Sequence, residues 1–273
     1  MTEFVQNIAG TIKLKCQTDI LKYSESFINN SIQKRMRETN CASNNKYLSL
    51  LETNVEEAEA LLDSFQISYS EFFRNSLTFA VLEHIVVPSL IAKKLQGKRN
   101  ELRIWSAACA AGQEVYSMAI LLEELMERNN HSFTYRIFAT DQNESQIYLG
   151  SRGEFEKDSL RNLSLLRTNK WFINTGNICS VKSVIKEKID FSRFDLCDSQ
   201  LSSPAASIYG EFDIVFCANL LFYYNNDVRK TILNKIRSPL TKEGYVVTGE
   251  TERDIMVSQG FSEVFPKSAI FQN

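Results

Sequence analysis

A change of pattern near residue 97 constrains the fold more than any other feature of this 273-residue sequence. The residues before it include almost no glycine, and their apolar positions recur three and four apart, which is the period of an amphipathic helix. Asn54–Leu62 continues this period with acidic residues in its first turn, which the positive end of a helix favours. The polar run Gln96–Asn100 then breaks the pattern. We therefore predict an all-α domain over residues 1–96 and a second domain over 97–273.

Short β-type runs alternate with helical stretches in the second domain, and this alternation predicts a mostly parallel sheet covered by helices. Ligands of such α/β folds bind beyond the carboxyl ends of the strands, where the strand order reverses. The predicted strands are Leu102–Trp105, Tyr135–Ala139, Ile214–Cys217 and Tyr245–Thr248, and the predicted helices are Glu114–Arg128, Asn143–Ser151 and Asp227–Arg237.

Residues 169–191 interrupt the alternation. Trp171–Ile173 is β-like, a turn follows at Asn174–Asn177, and a second β-like run continues to Phe191. We expect a small antiparallel β insertion here.

Composition excludes several classes of function. The formal net charge of −2 does not suit a protein that coats nucleic acid. No run approaches the roughly 20 uncharged apolar residues of a membrane-spanning helix, so we expect a cytoplasmic protein without membrane insertion.

Only two histidines occur, His84 in an apolar helical stretch and His131 in a polar loop, and the six cysteines form no C-x-x-C pair. We expect neither a histidine base nor a bound metal.

Two predicted strand ends carry residues that suit a nucleoside ligand. After the first strand, Trp105–Ser117 is a run of small residues that opens into a helix, and its one glycine does not make a phosphate loop. The alternative is a tightly packed turn. The second strand ends in Asp141, which could accept hydrogen bonds from both ribose hydroxyls or could cap a helix. Together the two ends favour a nucleoside.

Four segments resemble the chemotaxis-receptor methyltransferase (CheR) family over nearly the whole chain. Ser68–Arg74 looks like the family's T-x-F-F-R, and Trp105–Ser117 resembles W-S-A-x-x-S-x-G-E-E-P-Y-S. Phe138–Asp141 is similar to the end of the family's second strand. Phe212–Tyr224 resembles F-D-x-I-F-C-R-N-x-x-I-Y-F and is the most specific of the four. Gly244 and Gly249–Glu252 also resemble the family's closing turn and G-x-S-E segment.

The resemblance implies a Rossmann-like domain that binds S-adenosylmethionine and releases S-adenosylhomocysteine. It implies that Glu114 binds the methionine amino group, that Asp141 binds the ribose and that Asp195 and Leu196 flank the adenine. The implied cofactor-binding residues are Ser68, Ser70, Arg74, Ala107, Glu114, Asp141, Asp195, Leu196, Ala218 and Asn219.

The resemblance also implies that Arg74 and Tyr223 are catalytic, beside the transferred methyl. The alternatives are a surface ion pair for Arg74 and sheet packing for Tyr223. The acceptor is implied to be a glutamate of a chemoreceptor's cytoplasmic domain. An ionised carboxylate needs no general base, which fits the scarcity of histidine.

Partner recognition is implied to involve a basic helix that contacts an acidic receptor helix. Its candidate substrate-binding residues are Lys34, Arg35 and Arg37, and the alternative for them is a solvated helix face.

Departures from the family pattern gather at the implied ligand and partner surfaces, and the insertion's hairpin also looks shortened. Three hypotheses remain: a protein-glutamate O-methyltransferase in a chemosensory pathway, a diverged methyltransferase with another carboxylate substrate, and a cofactor-binding regulatory protein without turnover. The departing residues are Ser31, Gln113, Val115, Asp195 and Ala218.

Overall fold

The computed structural model describes residues 1–97, 100–130, 132–198, 201, 203–207 and 211–272. Two compact units make up the chain. The first comprises Met1–Ile67 with Phe222–Lys230, and the second comprises Ser68–Leu221 with Thr231–Asn273. Residues 68–96, which the sequence analysis assigned to the all-α domain, group with the second unit. His131, and Lys98 and Arg99 of the polar break, lie outside the described residues.

Residues 1–67 of the first unit form four α-helices, and their apolar faces contribute its core. Asn54 ends one helix and caps the next, since its Oδ1 accepts a 3.0 Å hydrogen bond from the backbone N–H of Glu57. The apolar period predicted from sequence is confirmed by full burial of residues such as Ile28, Ile32 and Leu51. The helices are α1 (Glu3–Cys16), α2 (Glu25–Glu38), α3 (Asn44–Thr53) and α4 (Val55–Asp63), with a 3-10 turn at Ile20–Lys22.

One continuous helical segment of the second unit, Ser76–Gln96, could cross a membrane by length and composition alone. It contains α5 (Ser76–Val81), a π-helical turn (Leu82–Val86) and α6 (Val87–Gln96). Pro88 lies at the start of α6 and has no N–H to donate, which accounts for the widened turn before it. The apolar side of this segment is part of the unit's hydrophobic core, as in a core helix. Its core residues are Phe79, Val81, Leu82, Val86, Val87, Leu90 and Ile91.

A seven-stranded sheet in the order β6-β2-β1-β7-β8-β10-β9 is the centre of this unit. The five strands from β6 to β8 pair in parallel, and β10 and β9 add antiparallel at one edge. The predicted α/β fold is thereby confirmed. The strands are β1 (Glu101–Ser106), β2 (Thr134–Asp141), β6 (Ile189–Arg193), β7 (Phe212–Phe216), β8 (Leu240–Val247), β9 (Ser262–Glu263) and β10 (Ile270–Gln272).

Helices connect the strands. The apolar period predicted three of them, α7 (Gln113–Arg128), α8 (Glu144–Arg152) and α11 (Asn226–Arg237). The remaining three are α9 (Leu165–Trp171), α10 (Ser183–Lys186) and α12 (Arg253–Ser258).

The predicted small antiparallel sheet is present, with three strands in the order β3-β5-β4, but β3 lies before the predicted range of 169–191. Its strands are β3 (Glu154–Glu156), β4 (Phe172–Thr175) and β5 (Ile178–Val181). We expected one β-like run to Phe191, and the structure differs. The helix α10 follows β5, and the chain then enters the large sheet as β6. That change depends on pairing with β2, where Ile189 lies opposite Ile137, and local pattern does not reveal such a distant partner.

Candidate functional site

A cavity in the second unit lies at the carboxyl ends of β1, β7 and β8. The chain leaves β1 toward β2 on one side of the sheet and later returns to β7 on the other, so the strand order reverses here. Four chain segments line the cavity. They contribute Tyr69, Ser70, Glu71, Arg74, Asn75, Thr78 and Phe79; Ala108, Ala110 and Glu114; Phe216, Ala218 and Asn219; and Val247–Thr251.

Glu114 reaches the cavity from the first turn of α7. The turn before this helix requires two left-handed residues, Ala110 with φ 46° and Gly112 with φ 89°, which explains a glycine at the start of the helix. Oε1 of Glu114 accepts a 2.8 Å hydrogen bond from Oγ of Ser106, the last residue of β1. Burial raises the pKa of Glu114 from 4.5 to about 7, although this bond and the charge of Arg74 act in the opposite direction.

Asp141, the last residue of β2, holds the turn that follows β1. Its Oδ2 accepts a 3.0 Å hydrogen bond from the N–H of Ala110, and its Oδ1 accepts one of 2.9 Å from the N–H of Asn143. Burial raises the pKa of Asp141 despite these bonds. The helix-cap alternative is not what the structure shows, because Asn143 is the residue whose side chain caps α8.

Arg74 is presented to the cavity by the two phenylalanines that precede it. Phe72 is fully buried and packs edge-on against two aromatic rings, Phe155 and Phe172. Phe73 adopts a left-handed φ of 47°, and its N–H donates a 2.9 Å hydrogen bond to Oγ of Ser117 in α7. The chain therefore turns sharply at Phe73. Arg74 itself is exposed and lies 5.3 Å from the ring centroid of Tyr69.

Glu252 joins the loops that follow β7 and β8. Its carboxylate accepts hydrogen bonds of 2.6–2.7 Å from three successive backbone N–H groups, those of Asn219, Leu220 and Leu221. It also accepts bonds from Oγ1 of Thr248 at 2.7 Å and from the N–H of Gly249 at 2.8 Å. This glutamate is the last residue of Gly249–Glu252, which resembles the family's G-x-S-E segment, and its role is not evident from the sequence.

The cavity brings together about half of the cofactor-binding residues expected from sequence, namely Ser70, Arg74, Glu114, Ala218 and Asn219. The other expected residues lie outside its lining: Ser68 is exposed, Ala107 and Leu196 are buried, and Asp141 and Asp195 are partly buried.

Two of the residues outside the lining, Asp141 and Asp195, lie close to each other in the chain's fold. The N–H of Phe194 donates a 3.0 Å hydrogen bond to the backbone oxygen of Asp141. Oδ1 of Asp195, the next residue, accepts a 2.8 Å bond from the N–H of Cys197. Asp141 is the last residue of β2, and Asp195 follows the neighbouring strand β6, so both lie at the carboxyl ends of the parallel strands, as the cavity does.

The first unit contains the other expected site residues. Tyr223 lies in a 3-10 turn, with its ring centroid 4.7 Å from that of Phe27. Its backbone oxygen accepts a 2.7 Å hydrogen bond from the N–H of Ser24. Lys34 and Arg37 are exposed on α2.

Arg35 differs from its two basic neighbours because it is held by a buried acid. Its Nε donates a 3.0 Å hydrogen bond to Oε1 of Glu57, and its Nη2 forms a second bond to Oε2. The hydroxyl of Tyr47 adds a 2.8 Å bond to the same carboxylate. Only 6% of the Glu57 side chain is exposed, so the pair is a structural element of the first unit.

No role was evident from the sequence for the cavity residues of α5 or for those of the loop after β8, although Gly249–Glu252 in that loop resemble a segment of the family. The loop could have been found, because it follows a predicted strand and strand ends were the expected location of the ligand. Asn75, Thr78 and Phe79 gave no such signal, since they lie at the start of a helix.

The cavity suits a ligand that is both cationic and anionic. It presents the carboxylate of Glu114 and the guanidinium of Arg74, and the small side chains of Ala108 and Ala110 leave room near the backbone. An amino acid group, with its ammonium and its carboxylate, matches this pair of charges. Among the described residues, no group of three or more His, Cys, Asp or Glu side chains could hold a metal ion.

Two family models match this chain. Residues 68–269 match "CheR methyltransferase, SAM binding domain", and residues 4–65 match "CheR methyltransferase, all-alpha domain". The cofactor of the larger domain is therefore S-adenosylmethionine, whose amino acid group has the charges that the cavity complements.

Curated relatives of this chain include two named chemotaxis protein methyltransferases. The chain is 31% identical over 211 residues to a chemotaxis protein methyltransferase of Borreliella burgdorferi, a match that covers 76% of this chain and 72% of the relative. It is 35% identical to chemotaxis protein methyltransferase Cher2 of Pseudomonas putida, over 71% of this chain and 69% of that one. An uncharacterized 104.1 kDa protein of Rhodobacter capsulatus is 27% identical over 99% of this chain, which spans 27% of that longer protein.

Proposed function

Because this chain belongs to the CheR methyltransferase family, we propose that it transfers the methyl group of S-adenosylmethionine to glutamate side chains of chemoreceptors. Its relatives support S-adenosylmethionine-dependent methylation in chemotaxis. The observation that carries the proposal is the meeting of Glu114 and Arg74 in one cavity, within the residues that match the SAM-binding model.

From the charges of the cavity we propose a role for each of these two residues. Glu114 binds the ammonium of the cofactor, and Arg74 binds its carboxylate and lies near the transfer site. When bound, S-adenosylmethionine supplies a methyl group on a positively charged sulfur, which an ionised carboxylate accepts without losing a proton. The chain's part is to align donor and acceptor and to exclude water from the acceptor carboxylate.

Asp141 contributes to the same site through the turn after β1. It fixes the backbone at Ala110 and offers acceptor oxygens for the ribose hydroxyls, and the residues after β6, Asp195 and Leu196, border the adenine. Tyr223 remains our sequence-based candidate for a residue beside the transferred methyl.

We also propose that the partner is the cytoplasmic domain of a chemoreceptor and that the protein acts in the cytoplasm, without membrane insertion or nucleic-acid binding. Exposed Lys34 and Arg37 on α2 provide positive charge for an acidic receptor helix, and such charges act mainly on encounter and specificity. Arg35 contributes less to this contact, because its guanidinium is paired with Glu57.

A radiolabelled transfer assay tests the proposal. Purified protein is incubated with methyl-labelled S-adenosylmethionine and membranes that carry chemoreceptors, and base-labile methanol is measured. Receptors whose methylated glutamates are changed to alanine serve as the matched acceptor control. We expect methanol only from the unchanged receptors.

Other outcomes identify the two rival hypotheses. Label in a small carboxylate but not in receptors indicates a diverged methyltransferase. Binding of S-adenosylhomocysteine by calorimetry, with no label in any acceptor, indicates a regulatory protein without turnover. Either result contradicts the proposal.

A further inference from the structure

The Glu252 carboxylate is fully buried and is surrounded by hydrogen-bond donors. Oε1 accepts from the N–H groups of Leu220 and Leu221, while Oε2 accepts from the N–H of Asn219, the N–H of Gly249 and Oγ1 of Thr248. An ionised carboxylate has about four lone-pair sites and no donor, so it matches a shell made only of donors. The acceptor capacity of Glu252 is fully used.

The backbone at Asn219 is shaped to meet this carboxylate. Asn219 has a left-handed φ of 60°, an uncommon conformation for a residue other than glycine. With that turn, three successive N–H groups converge on one anion, as in the anion-binding concavities that backbone amides form. Here the anion is a side chain of the protein itself.

Gly249 completes the contact between the two loops. A Cβ at this position would lie 2.4 Å from Nδ2 and 3.0 Å from Cγ of Asn219, and 3.0 Å from Oε2 of Glu252. A side chain of any size therefore displaces the Asn219 amide or the carboxylate. The close approach of the loops depends on glycine here, although its φ of −74° is open to any residue.

We propose that Glu252 is a positioning residue that sets the cofactor site by holding the loops after β7 and β8 in register. The loop after β7 supplies Ala218 and Asn219 to the cavity, and the loop after β8 supplies Thr248 to Thr251. Glu252 is absent from the lining and acts through these neighbours. The inference concerns binding of S-adenosylmethionine and its product, and it holds whichever acceptor is methylated.

Glu252→Gln is the sharpest test because it keeps the size of the side chain. The glutamine amide has one acceptor oxygen and an NH2 group, and this NH2 faces backbone N–H groups that then have no acceptor. We expect the loops to separate and the Kd for S-adenosylhomocysteine, measured by calorimetry, to rise about tenfold, which corresponds to about 1.4 kcal/mol. The stoichiometry stays near one site for each chain.

The stoichiometry separates positioning from a structural role. If Glu252 only supports folding, the variant shows fewer competent sites or a lower melting temperature while the Kd of the folded fraction is unchanged. That result overturns the proposal. Asp254→Asn is the matched control, because it removes an exposed carboxylate two residues along the chain and is expected to leave the Kd unchanged.

Thr248→Val and Gly249→Ala decide the question if Glu252→Gln does not fold. The first removes one donor to the carboxylate and keeps the shape of the side chain. The second introduces the Cβ that collides with the Asn219 amide. We expect each to raise the Kd at unchanged stoichiometry. An unchanged Kd in both variants contradicts the proposal.

Discussion

The Oγ of Ser106 donates a hydrogen bond of 2.8 Å to Oε1 of Glu114, which ties the end of β1 to the first turn of α7. The bond orients a carboxylate that burial holds partly protonated near neutral pH, with a pKa of about 7. Arg74 and Glu252 act on this carboxylate with opposite charges, since Arg74 lowers its pKa and Glu252 raises it. The protonation state of Glu114 therefore depends on Ser106, Arg74 and Glu252, which belong to three different segments of the chain.

The first prediction concerns the pH dependence of cofactor binding. Glu114 attracts the cofactor's ammonium only when it is ionised, so the affinity for S-adenosylhomocysteine should rise with pH and level off above about 7. Below that value we expect the Kd to rise by up to about tenfold for each unit by which the pH falls. Calorimetry across this range measures it. Glu114→Gln should bind weakly with a nearly flat profile, and a sloped profile in that variant would exclude Glu114 as the titrating group.

The same shift has a consequence for stability in the absence of cofactor. A carboxyl whose pKa is higher in the folded state than in the unfolded state stabilises the fold at low pH, and this contribution is lost as pH rises through the folded value. For Glu114 the window runs from 4.5 to about 7. As the pH rises through this window, the melting temperature of the wild type should therefore fall relative to that of Glu114→Gln. If the difference between the two melting temperatures does not change with pH, the pKa of Glu114 is not raised in the folded state.

Asp141→Ala is the second change to test. We expect cofactor binding to weaken by about 1–3 kcal/mol, the range for a buried polar group that loses its partner. Here the N–H of Ala110 loses its acceptor, so the turn that borders the cavity loosens as well. Calorimetry with S-adenosylhomocysteine measures the change. Asp158→Ala, on a 3-10 turn of the insertion, is the control, and unchanged affinity in Asp141→Ala would remove Asp141 from the site.

The sheet was largely predictable because its central strands are buried and flanked by helices with a clear period. The predicted strand Leu102–Trp105 and helix Glu114–Arg128 correspond closely to β1 and α7. Of the strands that were not predicted for this sheet, β6 and β9 lie at its two edges, and the three-residue β10 lies between β8 and β9. Their identity comes from pairing with distant segments, such as Ile270 opposite Val247, and a local apolar pattern does not contain that information.

The site was predictable only in part for a similar reason. Glu114 and Arg74 belong to segments that resemble a known family, so their roles could be proposed from sequence. The proposed role of Glu252 depends on hydrogen-bond donors in two loops. One of these donors, the N–H of Asn219, lies 33 residues away along the chain. The pairing of Arg35 with Glu57 likewise joins two helices and changes the interpretation of a basic cluster. Tertiary contacts, which single segments do not reveal, determine both.

The third prediction distinguishes Arg35 from its basic neighbours. Arg35→Ala leaves the buried Glu57 carboxylate without its cation, so the free energy of unfolding should fall by about 3–5 kcal/mol. Lys34→Ala and Arg37→Ala should leave stability within about 0.5 kcal/mol, because both residues are exposed. They should instead raise the KM for receptor. Denaturant unfolding and receptor titration measure the two effects.

A double-variant cycle gives the control for this prediction. Arg35→Ala combined with Glu57→Ala should be less destabilised than the sum of the two single variants, because the buried charge has been removed. Additive losses would show that the pair contributes no coupling energy. A loss of stability in Lys34→Ala equal to that in Arg35→Ala would also contradict the assignment.

The fourth prediction separates turnover from folding at Arg74. The side chain is exposed and lies over the Tyr69 ring, so Arg74→Ala should change the free energy of unfolding by no more than about 0.5 kcal/mol. Loss of a charged hydrogen bond to the cofactor's carboxylate should weaken S-adenosylhomocysteine binding by about 1.5–3 kcal/mol and lower turnover. Arg74→Lys, which keeps the charge but not the planar pair of donors, should recover only part of the loss.

The pH profile gives Arg74→Ala a second and independent readout. The charge of Arg74 lowers the pKa of Glu114, so its removal should move the midpoint of the binding profile to higher pH than in the wild type. Arg74→Lys should keep the wild-type midpoint because the positive charge remains. If Arg74→Ala instead loses stability and turnover equally while the midpoint stays in place, Arg74 is a structural residue and its assignment to the cofactor is wrong.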